Sequence, residues 1–116
     1  MLPAENRLKS KKEIDFVFRS GRMLKNDFLC LKYCPNQKNI TRVAFSLGLG
    51  YSKIAVRRNR AKRIMREAIR SQMNKVKSGF DLVFFLSKGF TKEITYKETG
   101  LIMKDLLKKS NLFNQI

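Results

Sequence analysis

Residues 41–70 read TRVAFSLGLGYSKIAVRRNRAKRIMREAIR. From Thr41 to Leu47 the side chains alternate, with Val43, Phe45 and Leu47 on one side, which is the two-residue period of a half-buried strand. Gly48, Gly50 and Ser52 mark a loop. The period then changes: from about Ile54 to Asn74, Ala61, Ile64, Met65, Ala68, Ile69 and Met73 fall within one half of a wheel drawn at about 100° per residue. A strand that feeds a long amphipathic helix commits the chain to a mixed α and β fold.

The polar half of that helix is as informative as the apolar half. Lys53 to Arg70 holds eight basic residues and one acid, Glu67, and six of the ten arginines of the chain lie between Arg57 and Arg70. Asn59, Arg63, Arg66 and Arg70 form one stripe about 60° wide, bordered by Lys62 on one side and by Arg60 with Glu67 on the other. A solvated helix face normally alternates its signs so that i, i+4 pairs form, and here only Arg63 and Glu67 are so spaced. Arg57 and Arg58 stand in the first turn, where the helix dipole disfavours cations, so an influence other than helix formation is expected to favour them. Arginine binds phosphate through a planar fork, and Asn59 adds a group that both donates and accepts, suited to ribose, phosphate or a hydrated metal ion.

Outward from this segment, Ser10-Lys11-Lys12-Glu13 is a capping box opening a short helix to about Arg19, with Ile14, Val17 and Phe18 on one face and Gly21 as its stop. Phe28 to Tyr33 reads as a strand ending near Pro35, expected to pair with Thr41 to Leu47 as an antiparallel hairpin. Asp81 to Ser87 reads as a strand buried on both faces. A second capping box, Thr95 to Glu98, opens a last helix to about Lys109, with Leu101, Ile102 and Leu106 as its apolar side. The expected order is α-β-β-α-β-α in one domain over residues 1–116, an α+β sandwich.

Composition narrows the function. The formal net charge is +17, while the 43% apolar content suffices for a core, so a folded protein with a polyanionic partner is expected. With no histidine, Ser-His-Asp and Cys-His hydrolases and His-ligated metal sites are excluded. Cys30 and Cys34, about 13 Å apart along a strand, are too distant for a disulfide, which suits a reducing cytoplasm. The first residues, MLPAENRL, have no secretory apolar core, and the longest apolar run, Leu82 to Leu86, is too short to span a bilayer. A soluble cytoplasmic protein without a membrane partner is expected. Nine scattered carboxylates, Asp81 among them, offer no converging set for a two-metal nuclease.

The sequence Arg58-Asn59-Arg60-x-Lys62-Arg63-x-x-Arg66-Glu67 resembles the RNR motif of the bacterial ribonuclease P protein subunit. The likeness runs in colinear order through Asn6-Arg7-Leu8, Val17-Phe18 with Gly21, Arg42 to Ser46, Asp81-Leu82-Val83 and Thr95 to Glu98. It implies an α/β sandwich with a left-handed βαβ crossover, where the general rule would give a right-handed one. It also implies that an RNA subunit performs Mg²⁺-dependent removal of the 5′ leader from precursor tRNA, with Mg²⁺ held mainly by the RNA and the substrate. The protein would assist, with no catalytic residue, no metal cage beyond an outer-sphere contact at Asn59, and no obligate protein partner. On this resemblance Arg58, Asn59, Arg60, Lys62, Arg63, Arg66 and Arg70 contact the catalytic RNA. Phe18, Phe28, Phe45 and Lys88 match a cleft for the single-stranded leader. The chain departs from the family at Ile14, where an aromatic is usual, and at Leu47 to Tyr51, where a Ser-Lys-Lys segment is usual and Lys53 is the expected substitute.

Two other readings compete. A general RNA chaperone or ribosomal protein would share the basic helix without a role in cleavage. A homeodomain-like DNA reader would share Asn59-Arg60-Ala61-Lys62-Arg63 but needs two helices before it, where this chain has strands.

Overall fold

The computed structural model describes residues 2–48 and 50–114. Three helices and four strands follow one another as α1 (Lys11–Ser20), β1 (Arg22–Asn26), β2 (Leu29–Pro35), β3 (Arg42–Ser46), α2 (Ala55–Arg70), β4 (Phe80–Leu86) and α3 (Tyr96–Lys109). Single 3-10 turns occur at Ala4–Asn6 and Met73–Lys75. The α+β class and the core order stand as expected, with one strand added, β1.

The strands lie in the order β1-β2-β4-β3. The antiparallel hairpin expected of Phe28 to Tyr33 with Thr41 to Leu47 is not formed. Instead β2 pairs with β1 through a two-residue turn, from Asn26↔Leu29 to Arg22↔Tyr33, with Asp27 at φ 54°. Asp is one of the few residue types that tolerates that left-handed region. On its other edge β2 pairs antiparallel with β4, and β4 pairs parallel with β3. The late strand β4 thus takes the centre, which its buried run Asp81-Leu82-Val83-Phe84 suits.

Alternation sorts the sheet into two faces. Leu29, Leu31, Val43, Leu82 and Phe84 join Met65, Ile69, Met103, Leu106 and Leu107 in the main core under α2 and α3. The opposite parity, Cys34, Ala44 and Val83, meets Leu8 and Val17 under α1. Both helices carry the expected N-caps: Ser10 and Thr95 accept from the backbone N–H of Glu13 and Glu98, each at 3.3 Å, while the Glu13 carboxylate turns to Arg42 instead of closing the box. Gly21 ends α1 as expected, for reasons of space: a Cβ there would stand 2.5 Å from the Val17 carbonyl and 3.0 Å from that of Tyr33. In α3, Leu101 is 63% exposed, and the apolar side is completed by Met103 and Leu107.

One ionic cluster joins the elements on the α1 side. Arg42 of β3 donates to Asp81 through Nε at 2.9 Å and Nη2 at 2.8 Å, and through Nη2 to Glu13 of α1 at 2.8 Å. Asp81 also accepts from Asn36 at 2.9 Å. The hydrogen bonds to Asp81, and secondarily those to Glu13, push the Arg42 guanidinium pKa further up.

Candidate nucleic-acid interface

The outer face of α2 is built from Val56, Asn59, Arg60, Arg63 and Arg66, which line an open groove of about 650 Å³. Their spacing follows the helical period, and the buried Ala61, Met65, Ala68 and Ile69 hold the opposite side of the helix in the core. Arg70 lies a turn further on, exposed, 3.4 Å from the Glu67 carboxylate. Lys62 and Arg66 also line a second cavity of about 190 Å³, together with Arg7, Lys9, Ile14 and Phe45. That cavity lies at the edge strand β3, whose free side is bridged by the N-terminal segment through the Leu8 N–H bond to the Val43 carbonyl at 3.0 Å. The cationic surface therefore turns the sheet edge from α2 towards the start of α1.

The two arginines of the first turn have folding partners, contrary to the sequence expectation. Arg58 donates to the Ser52 carbonyl and Arg57 to the Thr91 carbonyl, each at 2.9 Å. The Arg57 guanidinium carbon also sits 5.7 Å from the centre of the Tyr51 ring. These contacts tie the loop between β3 and α2 and the loop after β4 to the helix start, which offsets the unfavourable dipole term of a few tenths of a kcal/mol per cation. They leave Arg58 half-buried, unlike the exposed Asn59, Arg60 and Arg63.

The residues expected to form a leader cleft are not brought together. Phe18 stands under α1, its ring 5.2 Å from Phe85 and the Lys32 ammonium 5.2 Å over its face. Phe28 lies in the other core, 4% exposed and stacked on Phe90 at 5.0 Å. Phe45 shares that side of the sheet, stacked on Phe84 at 6.1 Å, and lines the β3-edge cavity. Lys88 is exposed in a cavity of about 210 Å³ at the carboxyl ends of β3 and β4, with Ser46, Tyr51 and Phe90. Lys53 is exposed in the loop before α2. The sequence reading missed Lys32 and Phe85, which join Phe18 on the α1 face. Lys32 also donates to the Phe18 carbonyl at 2.7 Å. A lone lysine inside the apolar run FLCLKY was the available signal.

Among the described residues no three Cys, Asp or Glu side chains stand close enough to hold a metal ion. Glu13 and Asp81, which do converge, are both bound by Arg42. Both cysteines are free thiols. Burial, then the Asp81 charge, pushes the Cys34 thiol up and keeps it protonated. Among the described residues no helix is long and apolar enough to cross a membrane.

Fold and surface together define a small, strongly basic α+β domain in which one parallel β-α-β unit, carried by an arginine-rich helix, is set into an otherwise antiparallel sheet. Comparisons with known proteins make the class specific: the family model for Ribonuclease P matches residues 2–111. The chain belongs to the ribonuclease P protein family, and its expected membership is thereby established. The Ribonuclease P protein component of Clostridium botulinum (strain Loch Maree / Type A3) is 35% identical over 111 residues, covering 95% of this chain and 98% of the relative. That of Alkaliphilus oremlandii is 32% identical over 113 residues, with 97% of each covered. The RNase P protein from Thermotoga maritima superposes with a TM-score of 0.79 at 25% identity, over 89% of this chain and 98% of that one. The Staphylococcus aureus protein does so at 0.81 with 21% identity, over 94% and 98%, which speaks for the fold.

Proposed function

We propose that this chain is the RNA-binding protein subunit of a ribonucleoprotein endonuclease that removes the 5′ leader of precursor tRNA in the cytoplasm. The observation that carries the reading is the exposed arginine face of α2 in a chain of this family. Arg60, Arg63, Arg66 and Arg70, with Asn59 and Lys62, engage the phosphates and riboses of the catalytic RNA, and Arg58 contributes from its half-buried place at the head of the helix. Guanidinium groups three and four residues apart lie on one face about a turn from each other, so they grip successive backbone positions of a structured RNA.

The single-stranded leader takes the α1 side of the sheet. Phe18 supplies a stacking surface backed by Phe85, and Lys32 supplies the charge beside it. Phe45, Lys53 and Lys88 serve the leader at the margins, and Phe28 acts from the core by supporting the loop of Phe90. Mg²⁺ would be held mainly by the RNA and the substrate and would supply the activation of the attacking water. The side chains of this protein hold and orient the two RNAs, and Asn59 is placed to touch a hydrated ion without ligating it.

Adding the purified protein to its catalytic RNA at low Mg²⁺ should restore cleavage of a precursor tRNA to its mature 5′ end. Absence of stimulation under those conditions refutes the proposal. Equal affinity of the assembled particle for precursor and mature tRNA would instead favour a general RNA chaperone.

A further inference from the structure

The groove on α2 contains one side chain that no charge argument explains. Val56 is 75% exposed, and Ile54, the residue that caps the helix, is 58% exposed. Both stand where folding asks for something else. The cap position favours Ser, Thr, Asp or Asn, and the Ile54 side chain caps nothing; its own N–H is held by the Ser52 hydroxyl at 3.1 Å. An exposed first-turn position favours a carboxylate for the dipole and an unbranched residue for helix formation, and Val56 is neither. Yet Val56 heads the cationic stripe, sharing its groove with Asn59, Arg60, Arg63 and Arg66.

We infer that Val56 is an apolar contact for the unstacked base or the ribose of a nucleotide in the structured RNA, with Ile54 widening the contact. The inference rests on the proposed RNA-binding role of the α2 face. A phosphate offers nothing to an isopropyl group, whereas the faces of bases and the carbons of ribose do. The surrounding arginines fix the backbone of that RNA, so a nucleotide whose base is out of its stack is held against the head of the helix. The groove then reads a local RNA shape, a bulge or a loop, besides its charge.

Salt separates the two kinds of contact. Val56→Ala and the isosteric Val56→Thr should each weaken binding of the full chain to its catalytic RNA by on the order of fivefold, from the lost methyl burial. That factor should be the same at every KCl concentration, with the slope of log K against log salt unchanged. Arg66→Ala, measured in parallel, should make the slope shallower by about 0.7 to 0.9, one phosphate. Val56→Ala is also the better helix former, so loss of helix cannot account for weaker binding. Wild-type affinity in both Val56 variants, or a loss that vanishes at high salt, overturns the inference while the arginine face stands. Failure of the wild-type chain to bind the RNA at all overturns the functional reading itself.

Discussion

Arg42 is the residue on which three elements converge, and its two ion pairs are unequal. The Asp81 carboxylate is 8% exposed and that of Glu13 is 42% exposed. Removing the guanidinium strands a buried charge, whereas removing the outer partner leaves that charge paired. Arg42→Met should therefore lower unfolding stability by about 3 kcal/mol, and Glu13→Gln by less than about 1 kcal/mol. Urea denaturation of the two variants checks this, and equal losses would show that α1 is held by the outer pair. The charge that Arg42 holds here is structural, which is why its place beside Ala44 and Ser46 in the likeness to the family marks the frame of the α1 face rather than a nucleic-acid contact.

At the scale of the elements, α2 is the part whose two sides divide the work. The helix buries Ala61, Met65, Ala68 and Ile69 and turns its arginines outward, so the outward ones can be removed at little cost to the fold. The double variant Arg66→Ala with Arg70→Ala should melt near the wild-type temperature. It should bind the catalytic RNA with a salt slope shallower by about 1.4 to 1.8. Unchanged assembly at moderate salt would remove the stripe from the interface. This division was legible in the sequence because a 3.6-residue period over four turns admits one arrangement. The strand β1 was not legible: in RMLKN only Leu24 packs on the main core, and one residue makes no pattern. Nor was the pairing of β2, since alternation says which side chains share a face but not which strand lies beside them. The grouping of Phe18, Phe28 and Phe45 in one cleft rests on the family resemblance alone. Phe18 belongs to α1, which packs on the Val83 and Phe85 side of the sheet, whereas Phe45, paired with Phe84, faces the main core on the other. In α3, Leu101 and Met103 flank Ile102 at about 100° on either side and both are apolar, so the sequence alone does not say which of them joins the buried side.

For the whole molecule the governing quantity is its net charge of +17. Twenty-six cations against nine acids repel one another in the folded state, and the ion pairs described engage few of them. Salt should then act in opposite directions on folding and on assembly. Raising KCl should raise the melting temperature of the free protein by screening repulsion, and weaken its hold on RNA by lowering the gain from counterion release. Calorimetry of the free chain alongside binding over the same salt series tests both signs. A melting temperature that falls with KCl would show that the buried pairs outweigh the surface repulsion.

The place of β4 at the centre of the sheet has a consequence for how the molecule comes into being. A chain made from its N-terminus can close the β1–β2 hairpin early, because Asn26 and Leu29 are three residues apart. Everything else waits for residues 80–86. Until they are made, β3 has no strand to pair with, and α1 lacks Asp81, Val83 and Phe85 as its floor. The arginine helix is complete before the surface it will lie on exists. When β4 enters between β2 and β3 it gives both cores their central strand, and the main core closes only when Met103, Leu106 and Leu107 of α3 follow, so folding is late and cooperative, and neither half of the chain is a folding unit.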